Sequence, residues 1–402
     1  MKKVAIIGTV GLPANYGGFE TLASHIVQNL GRQYEFTVYC TTKKYKKEER
    51  KSHFHDARLK YLPFNANGIQ SILYDTISIL HALFYADVLI VLGVAGGWIL
   101  PFVRLFTNKK IIVSIDGIEW KRDKWNFLAK LYLWIAEKIA VKYSHIDISD
   151  NESIQDYTAI RYKSLSRVIE YGGDHVNFVE SEPEDFNKYH FLAYNYTIKV
   201  CRIEPENNVH VVLNAFSKLP KENLVIVGNW KNSKYGISLK EEFSAYSNIF
   251  LLDPIYDQRS IDLLRGNAKL YIHGHCAGGT NPSLVEAMNL RLPILSFNVS
   301  YNRTTTENKA SYFKKEEDII AFMKSTGYEN LRKNAYAMKE IADRRYRWKI
   351  IAFKYDLLIQ EALEAVGNKN TVLSTTSLLP DKVLRNYNAA HLKTHFNFYE
   401  KR

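Results

Sequence analysis

The sequence predicts an α/β fold made of two doubly wound, Rossmann-like parallel sheets in tandem. Short β-branched runs alternate with helix-length amphipathic stretches, the pattern of strands joined by crossover helices. The alternation pauses at Glu180-Ser181-Glu182-Pro183-Glu184-Asp185, acidic and proline-containing as a linker or exposed crossover is, and resumes near Thr197. The 402 residues are too many for one average domain and suit two of about 200 each. The boundary is expected near residues 176–190, with an N-terminal domain over 1–180, a second over 181–360 and an extension over 361–402 whose role is unreadable.

In chain order, the first strand is expected at residues 4–7, directly after Lys2-Lys3, which leaves no signal-peptide pattern before it. Further strands are expected at 36–39, 88–92, 110–115 and 145–149. The uncharged run from Val88 to Val103 is sixteen residues long, short of the roughly 20 that span a bilayer, and Gly93, Gly96, Gly97 and Pro101 interrupt it. A buried strand, a glycine turn and a helix start account for it. In the helix-like run 126–143, Lys130, Trp134, Lys138 and Lys142 share one side at i, i+4, i+8 and i+12. That stripe is either an interfacial membrane contact or a solvated face with Trp134 packed on a neighbour. The second series of strands is expected at 198–203, 223–227, 249–252, 270–273 and 293–297, followed by a helix over 348–358. Beyond Val366 the chain is polar and poorly periodic.

The formal charge of +12 is spread along the chain: 23 Lys+Arg against 18 Asp+Glu through Glu180 give +5, which leaves +7 for the rest. Such a surface favours anionic partners, whether nucleotide diphosphates, lipid headgroups or nucleic acid. Nucleic acid is the weakest of these, because no zinc-finger spacing, RNP-like aromatic signature or basic heptad region occurs. Cys40, Cys201 and Cys276 lie far apart in or beside apolar runs, as small buried thiols of a reducing cytosol do.

The most informative stretch is residues 273–288, His-Gly-His-Cys-Ala-Gly-Gly-Thr-Asn-Pro-Ser-Leu-Val-Glu-Ala-Met. It reads as the end of a strand, a glycine turn and a capped helix, a site suited to a phosphorylated sugar carrier. Gly278 and Gly279 admit close backbone approach, Asn281 is a good N-cap and Pro282 fits the first helical position. N–H groups of Gly279, Thr280, Asn281, Ser283 and Leu284 would then face an anion, with Glu286 one turn further in to accept from ribose hydroxyls. An ordinary strand-to-helix turn would share the pattern. A second glycine loop, residues 8–21, precedes the first helix, with Gly17 and Gly18 just before its start. It is no dinucleotide fingerprint: Val10 stands at the second glycine position, and Cys40-Thr41-Thr42 ends the second strand without an acidic residue. That argues against a dehydrogenase or epimerase, as does the lack of a Tyr-x-x-x-Lys pair after a central strand.

Two charged segments complete the set, Asp116-Gly117-Ile118-Glu119-Trp120-Lys121-Arg122 and Cys201-Arg202-Ile203-Glu204-Pro205-Glu206-Asn207. With these four elements in this order, residues 1–360 resemble the retaining glycosyltransferases of family four, and especially the β-1,4-rhamnosyltransferase branch of bacterial capsule and cell-wall synthesis. The resemblance implies a GT-B fold, in which two Rossmann-like domains face each other across a cleft. It implies donor-diphosphate contacts at Gly17, Gly18, Arg202 and Asn207, Arg202 matching the diphosphate-binding arginine. The family's second cation, a lysine, falls on Asn207, so one positive charge is missing and amide donors are expected to serve. Gly278 stands where many members carry a further glutamate. Asp116 stands where many carry a histidine, which fits a donor sugar lacking a 6-hydroxyl; it either orients the acceptor hydroxyl or caps the turn. Glu119, Trp120, Lys121 and Arg122 are acceptor-side candidates, although core indoles are common. The expected catalytic set is Asp116, Arg202 and Glu286.

The resemblance further implies a rhamnosyl transfer from dTDP-rhamnose onto a polyprenyl-diphosphate-linked saccharide at the inner face of the cytoplasmic membrane. No cofactor and no metal are expected, since no Asp-x-Asp motif occurs. A UDP-hexose transferase of the same fold and a non-catalytic nucleotide-sugar-binding protein stay open as alternatives.

Overall fold

A computed structural model of the chain describes residues 1–14, 17–115, 117–122, 125–365, 382 and 385. They form two compact units, Met1–Glu170 with Lys349–Arg402, and Tyr171–Trp348. The expected extension lies almost wholly outside the described residues.

The first unit holds an eight-stranded sheet of β1 (Lys2–Ile7), β2 (Tyr34–Thr41), β3 (His53–Phe54), β4 (Ala57–Leu62), β5 (Val88–Leu92), β6 (Lys110–Ile115), β7 (Ile146–Ser149) and β8 (Arg167–Val168), in the order β3-β4-β2-β1-β5-β6-β7-β8. Every pair is parallel except β3 with β4. The helices are α1 (Gly18–Leu30), α2 (Gln70–Ala82), α3 (Leu100–Phe106), α4 (Phe127–Tyr143) and α5 (Glu152–Tyr162). All five residues of β5 are buried, which is why it reads as an unbroken apolar run. The uncharged run from Val88 resolves into that strand, a short 3₁₀ turn over Gly97–Ile99 and α3. Among the described residues no helix is long and apolar enough to cross a membrane.

The second unit holds a six-stranded parallel sheet of β9 (Tyr196–Val200), β10 (Asn223–Val227), β11 (Ile249–Leu252), β12 (Leu270–His273), β13 (Ile294–Phe297) and β14 (Ser311–Phe313), ordered β11-β10-β9-β12-β13-β14. Its helices are α6 (Pro183–Lys188), α7 (Val209–Ser217), α8 (Lys234–Phe243), α9 (Gln258–Gly266), α10 (Pro282–Asn289), α11 (Ser300–Thr305), α12 (Glu316–Ser325) and α13 (Tyr328–Arg345). Its core gathers Val212, Leu213, Phe216, Leu224, Ile226, Trp230, Leu270 and Ile272.

Three expectations are corrected. The strand expected over 198–203 runs from Tyr196 to Val200, because a turn follows it at Pro205–Asn207 and Asn208 takes a left-handed conformation. The helix α14 (Trp348–Glu364), expected with the second domain, runs almost entirely with the first unit. There Asp356 accepts from Tyr34 Oη at 2.6 Å, Glu361 pairs with Arg167 at 2.7 Å and Lys354 pairs with Glu170. Periodicity reveals that a helix has an apolar face; it does not reveal which core that face covers. Of the three free cysteines, Cys40 is buried, whereas Cys201 and Cys276 are partly exposed because they sit at the end of β9 and in the turn after β12.

Candidate functional site

Open α/β sheets bind ligands beyond the carboxyl ends of their strands, where the strand order reverses. In the second sheet that point lies between β9 and β12, which pair at Thr197↔Leu270 and Ile198↔Tyr271. The turn after β9 carries Arg202 and Asn207; the turn after β12 carries Gly278, Gly279, Thr280 and Asn281 and leads into α10 with Glu286. Predicted residues from two distant stretches thus meet at one sheet edge.

The glycine turn is pinned from both sides. Asn208 Nδ2 donates to Gly274 O at 2.8 Å, Cys276 N to Glu206 O at 2.8 Å and Asn302 Nδ2 to His275 O at 2.9 Å, while Tyr301 Oη donates to Cys276 O. Gly274 permits the approach: a Cβ there would stand 2.3 Å from Asn207 O. Gly278, at φ +114°, turns the chain where a side chain would strain it. Asn302 and Tyr301 had no role in the sequence; their contacts make α11 the support of this turn.

Two groups of expected donors are differently employed. Asn281 caps α10 as expected, and its Oδ1 accepts from Ser283 N at 3.1 Å, while Leu284 N donates to Asn281 O at 3.1 Å. Ser283 and Leu284 N–H groups are therefore taken up by the cap itself, because a side-chain N-cap answers the same orphan donors an anion would. Asn207 is buried and occupied at both ends, Nδ2 on Arg202 O at 2.9 Å and Oδ1 3.1 Å from His275 Nδ1. It fastens two turns together, which withdraws it as a replacement for the missing cation.

Glu286 is largely buried and accepts from Arg265 and His175. Arg265 Nη2 on α9 lies 2.8 Å from Oε2, and His175 Nε2 lies 3.2 Å from Oε1. Trp348 Nε1, a donor only, lies 3.0 Å from His175 Nδ1, so Nδ1 accepts and Nε2 carries the proton toward Glu286. Burial pushes the carboxyl's pKa up, but Arg265 and His175 together outweigh it and hold it below the usual range. Glu286 is a fixed anion. Sequence reading missed both partners; the only available signal was Gly172-Gly173-Asp174-His175, where Gly172 lies against the Trp348 indole and Asp174 accepts from Trp348 N at 2.7 Å.

Arg202 leaves the sheet edge with its side chain 46% exposed and Glu204 3.8 Å from Nε, a loose partner that leaves the guanidinium fork available.

In the first unit the strand order reverses between β1 and β5, and the loop after β1 ends at Gly17, with Gly18 opening α1. Gly17 sits at φ +128° before α1, and Glu20 folds back into the loop, accepting from Val10 N at 2.6 Å. Asp116 lies outside the described residues. Glu119 pairs with Arg122 at 3.1 Å and accepts from Trp125 Nε1 at 3.0 Å, while Trp120 Nε1 donates to Tyr157 Oη at 3.0 Å. Lys121 Nζ lies 5.6 Å above the Trp120 ring. These acceptor-side candidates form one aromatic and ionic cluster, which folds the segment onto α4 and α5.

On the α4 stripe, Trp134 packs on a neighbour, as one of the two expected readings had it. Trp134 is half-buried under the Arg161 guanidinium, 5.0 Å from its ring. The exposed side of α4 is apolar in its first half, Phe127, Leu128, Leu131 and Ile135, and basic in its second, Lys138 and Lys142. Phe102, Leu105 and Phe106 on the adjoining α3 are exposed as well, Phe106 by 75%.

Among the described residues no three His, Cys, Asp or Glu side chains cluster as metal ligands would. Residues 1–174 match a family described as a domain of unknown function (DUF1972), and residues 181–335 match glycosyl transferases group 1. Comparison with curated proteins finds no match. Among solved structures, sucrose-phosphate synthase from Thermosynechococcus elongatus is similar at TM-score 0.73 and 12% identity, over 90% of this chain and 99% of that one. Anabaena HepE in complex with UDP and glucose gives 0.69 and 14%, over 90% and 100%. An E. coli trehalose-6-phosphate structure bound with UDP-2-fluoro glucose gives 0.67 and 10%, over 92% and 100%. At these identities the likeness is one of fold, that of two Rossmann-like domains in the GT-B class. The chain is a group 1 glycosyltransferase of GT-B fold with a DUF1972 domain at its N-terminus, and it transfers a sugar from a nucleotide-sugar donor.

Proposed function

We propose that this transferase moves L-rhamnose from dTDP-rhamnose, with retention, onto a saccharide carried by a polyprenyl diphosphate at the inner face of the cytoplasmic membrane. The observation that supports donor binding in the second unit is the Glu286 carboxylate, held ionised by Arg265 and His175 one turn into the helix that follows the glycine turn. Its oxygens keep lone pairs for ribose hydroxyls. Arg202 and the backbone of Gly279, Thr280 and Asn281 are assigned to the diphosphate, Gly17 and Gly18 to its outer phosphate, and Asp116 to the acceptor hydroxyl.

In this reading the bond from the anomeric carbon to the diphosphate oxygen breaks first. Negative charge grows on the leaving diphosphate, where Arg202 and the helix start stabilise it. The departing phosphate oxygen then takes the proton of the acceptor hydroxyl, whose oxygen bonds the anomeric carbon on the face just vacated, so configuration is retained.

Rhamnose as the sugar rests on the Asp116-to-Arg122 segment and on Gly278, where the rhamnosyl branch lacks a glutamate. HepE, bound with UDP and glucose, keeps a UDP-hexose as the competing donor. A thermal-shift series distinguishes them, since a ligand that binds only the folded state raises the midpoint by mass action. dTDP-rhamnose is expected to raise it further than UDP-glucose; the reverse order overturns the rhamnose reading. Arg202→Ala and Glu286→Ala are each expected to lower transfer by about a hundredfold or more, in line with lost charge stabilisation, whereas undiminished transfer in both removes the site assignment.

A further inference from the structure

Lys199 lies near the end of β9, at the strand-order reversal, and is only 1% exposed. Among the described residues its ammonium has neither a hydrogen bond nor a carboxylate partner. A buried, unpaired ammonium is costly, so a fold that keeps one has a use for it or a ligand that offsets it. Nζ lies directly under the glycine turn: a Cβ on Gly274 would stand 2.6 Å from it. His273 Nε2 at the end of β12 is likewise buried without a hydrogen-bond partner, on the face of the sheet it shares with Tyr271 and opposite that of Lys199. The His273 ring lies face to face with Tyr271 and edge-on to His275, which leaves Nε2 as the group unanswered. Cys201 and Cys276 are the other titratable groups that bear on Lys199, and burial lowers its pKa. The same turn is where the family resemblance placed a second cation, at Asn207, whose amide is already spent on Arg202 and His275.

We propose that Lys199 is the second phosphate-binding cation of this site, its ammonium taking up the diphosphate of the donor behind the turn at Gly274. The assignment rests on the reading of the second unit as the nucleotide-sugar site. A diphosphate oxygen answers the unpaired ammonium, which no neighbouring side chain does.

The test compares calorimetric affinities of UDP and dTDP with those of uridine and thymidine, in wild type and Lys199→Met, alongside the melting temperature without ligand. Lys199→Met is expected to weaken the diphosphates by about tenfold or more, the worth of one charge-assisted hydrogen bond. Nucleoside affinity should stay within about twofold, and the ligand-free protein should melt higher, because an apolar side chain replaces an uncompensated charge. Unchanged diphosphate affinity overturns the proposal. So does a lower melting temperature with nucleosides and diphosphates weakened alike, the signature of a structural lysine. Lys199→Gln carries the same reading if the methionine variant does not fold, and failure of both to fold also overturns it. If wild type binds none of the four compounds, the nucleotide-sugar reading itself falls.

Discussion

Removing Glu286 is expected to cost more than neutralising it. Glu286→Ala leaves the Arg265 guanidinium buried without its carboxylate, a loss of about 3–5 kcal/mol, whereas Glu286→Gln keeps an acceptor and should lose clearly less; urea unfolding of the two variants measures the difference. Asp75 on α2 titrates in the opposite sense. Burial pushes its carboxyl up to about 8, against a smaller pull from the Gly96 backbone. The folded protein therefore holds a proton there that the unfolded chain releases near pH 4, so this contribution is full below pH 4 and is lost as pH rises through 8. Asp75→Asn should flatten that decline in a melting-temperature series from pH 4 to 9 by at least about 1 kcal/mol; an unchanged slope excludes the assignment. At this scale Glu286 and Arg202 were legible as residue types in a pattern. Arg265, His175 and Lys199 were not, because nothing local marks an arginine, a histidine or a lysine as bound for the same sheet edge.

The N-cap of α10 is a local device, and its effect should be local. Asn281→Ala removes the acceptor for Ser283 N–H and is expected to cost about 1 kcal/mol of stability, read by thermal melting. The exposed side of α4 calls for a test with two arms. A charge-reversed Lys130, Lys138 and Lys142 variant addresses the basic stripe; a Phe127, Leu128 and Leu131 to Ser variant addresses the apolar half that the structure exposes. Insertion of the apolar half predicts that the serine variant loses more binding to anionic vesicles in a sedimentation assay. Equal binding by wild type and both variants would end the membrane-contact idea. Strands 88–92, 110–115, 223–227 and 270–273 were legible because buried parallel strands are continuous apolar runs, and 249–252 because it is apolar throughout although its place at the sheet edge leaves it only partly buried. Ala57–Leu62 was not: Arg58 and Lys60 face outward in alternation, and its place near the sheet edge leaves that face uncovered.

The return of α14 to the first unit makes the chain's order in space differ from its order in sequence. Compared with the full protein, a chain ending at Trp348 loses the helix that meets Tyr34, Arg167 and Glu170 and should expose the first unit to limited proteolysis. Equal resistance of the two would contradict that role. The sequence alone determined two doubly wound sheets and a glycine turn before a capped helix, since each depends on period, turn residues and caps within a few positions of one another. Only the tertiary structure decided which core receives the last helix and which N–H groups the cap consumes. It also decided which donors hold Glu286 and that a lysine lies unpaired beneath Gly274. Those outcomes depend on distances between residues far apart in the chain, which local pattern does not encode.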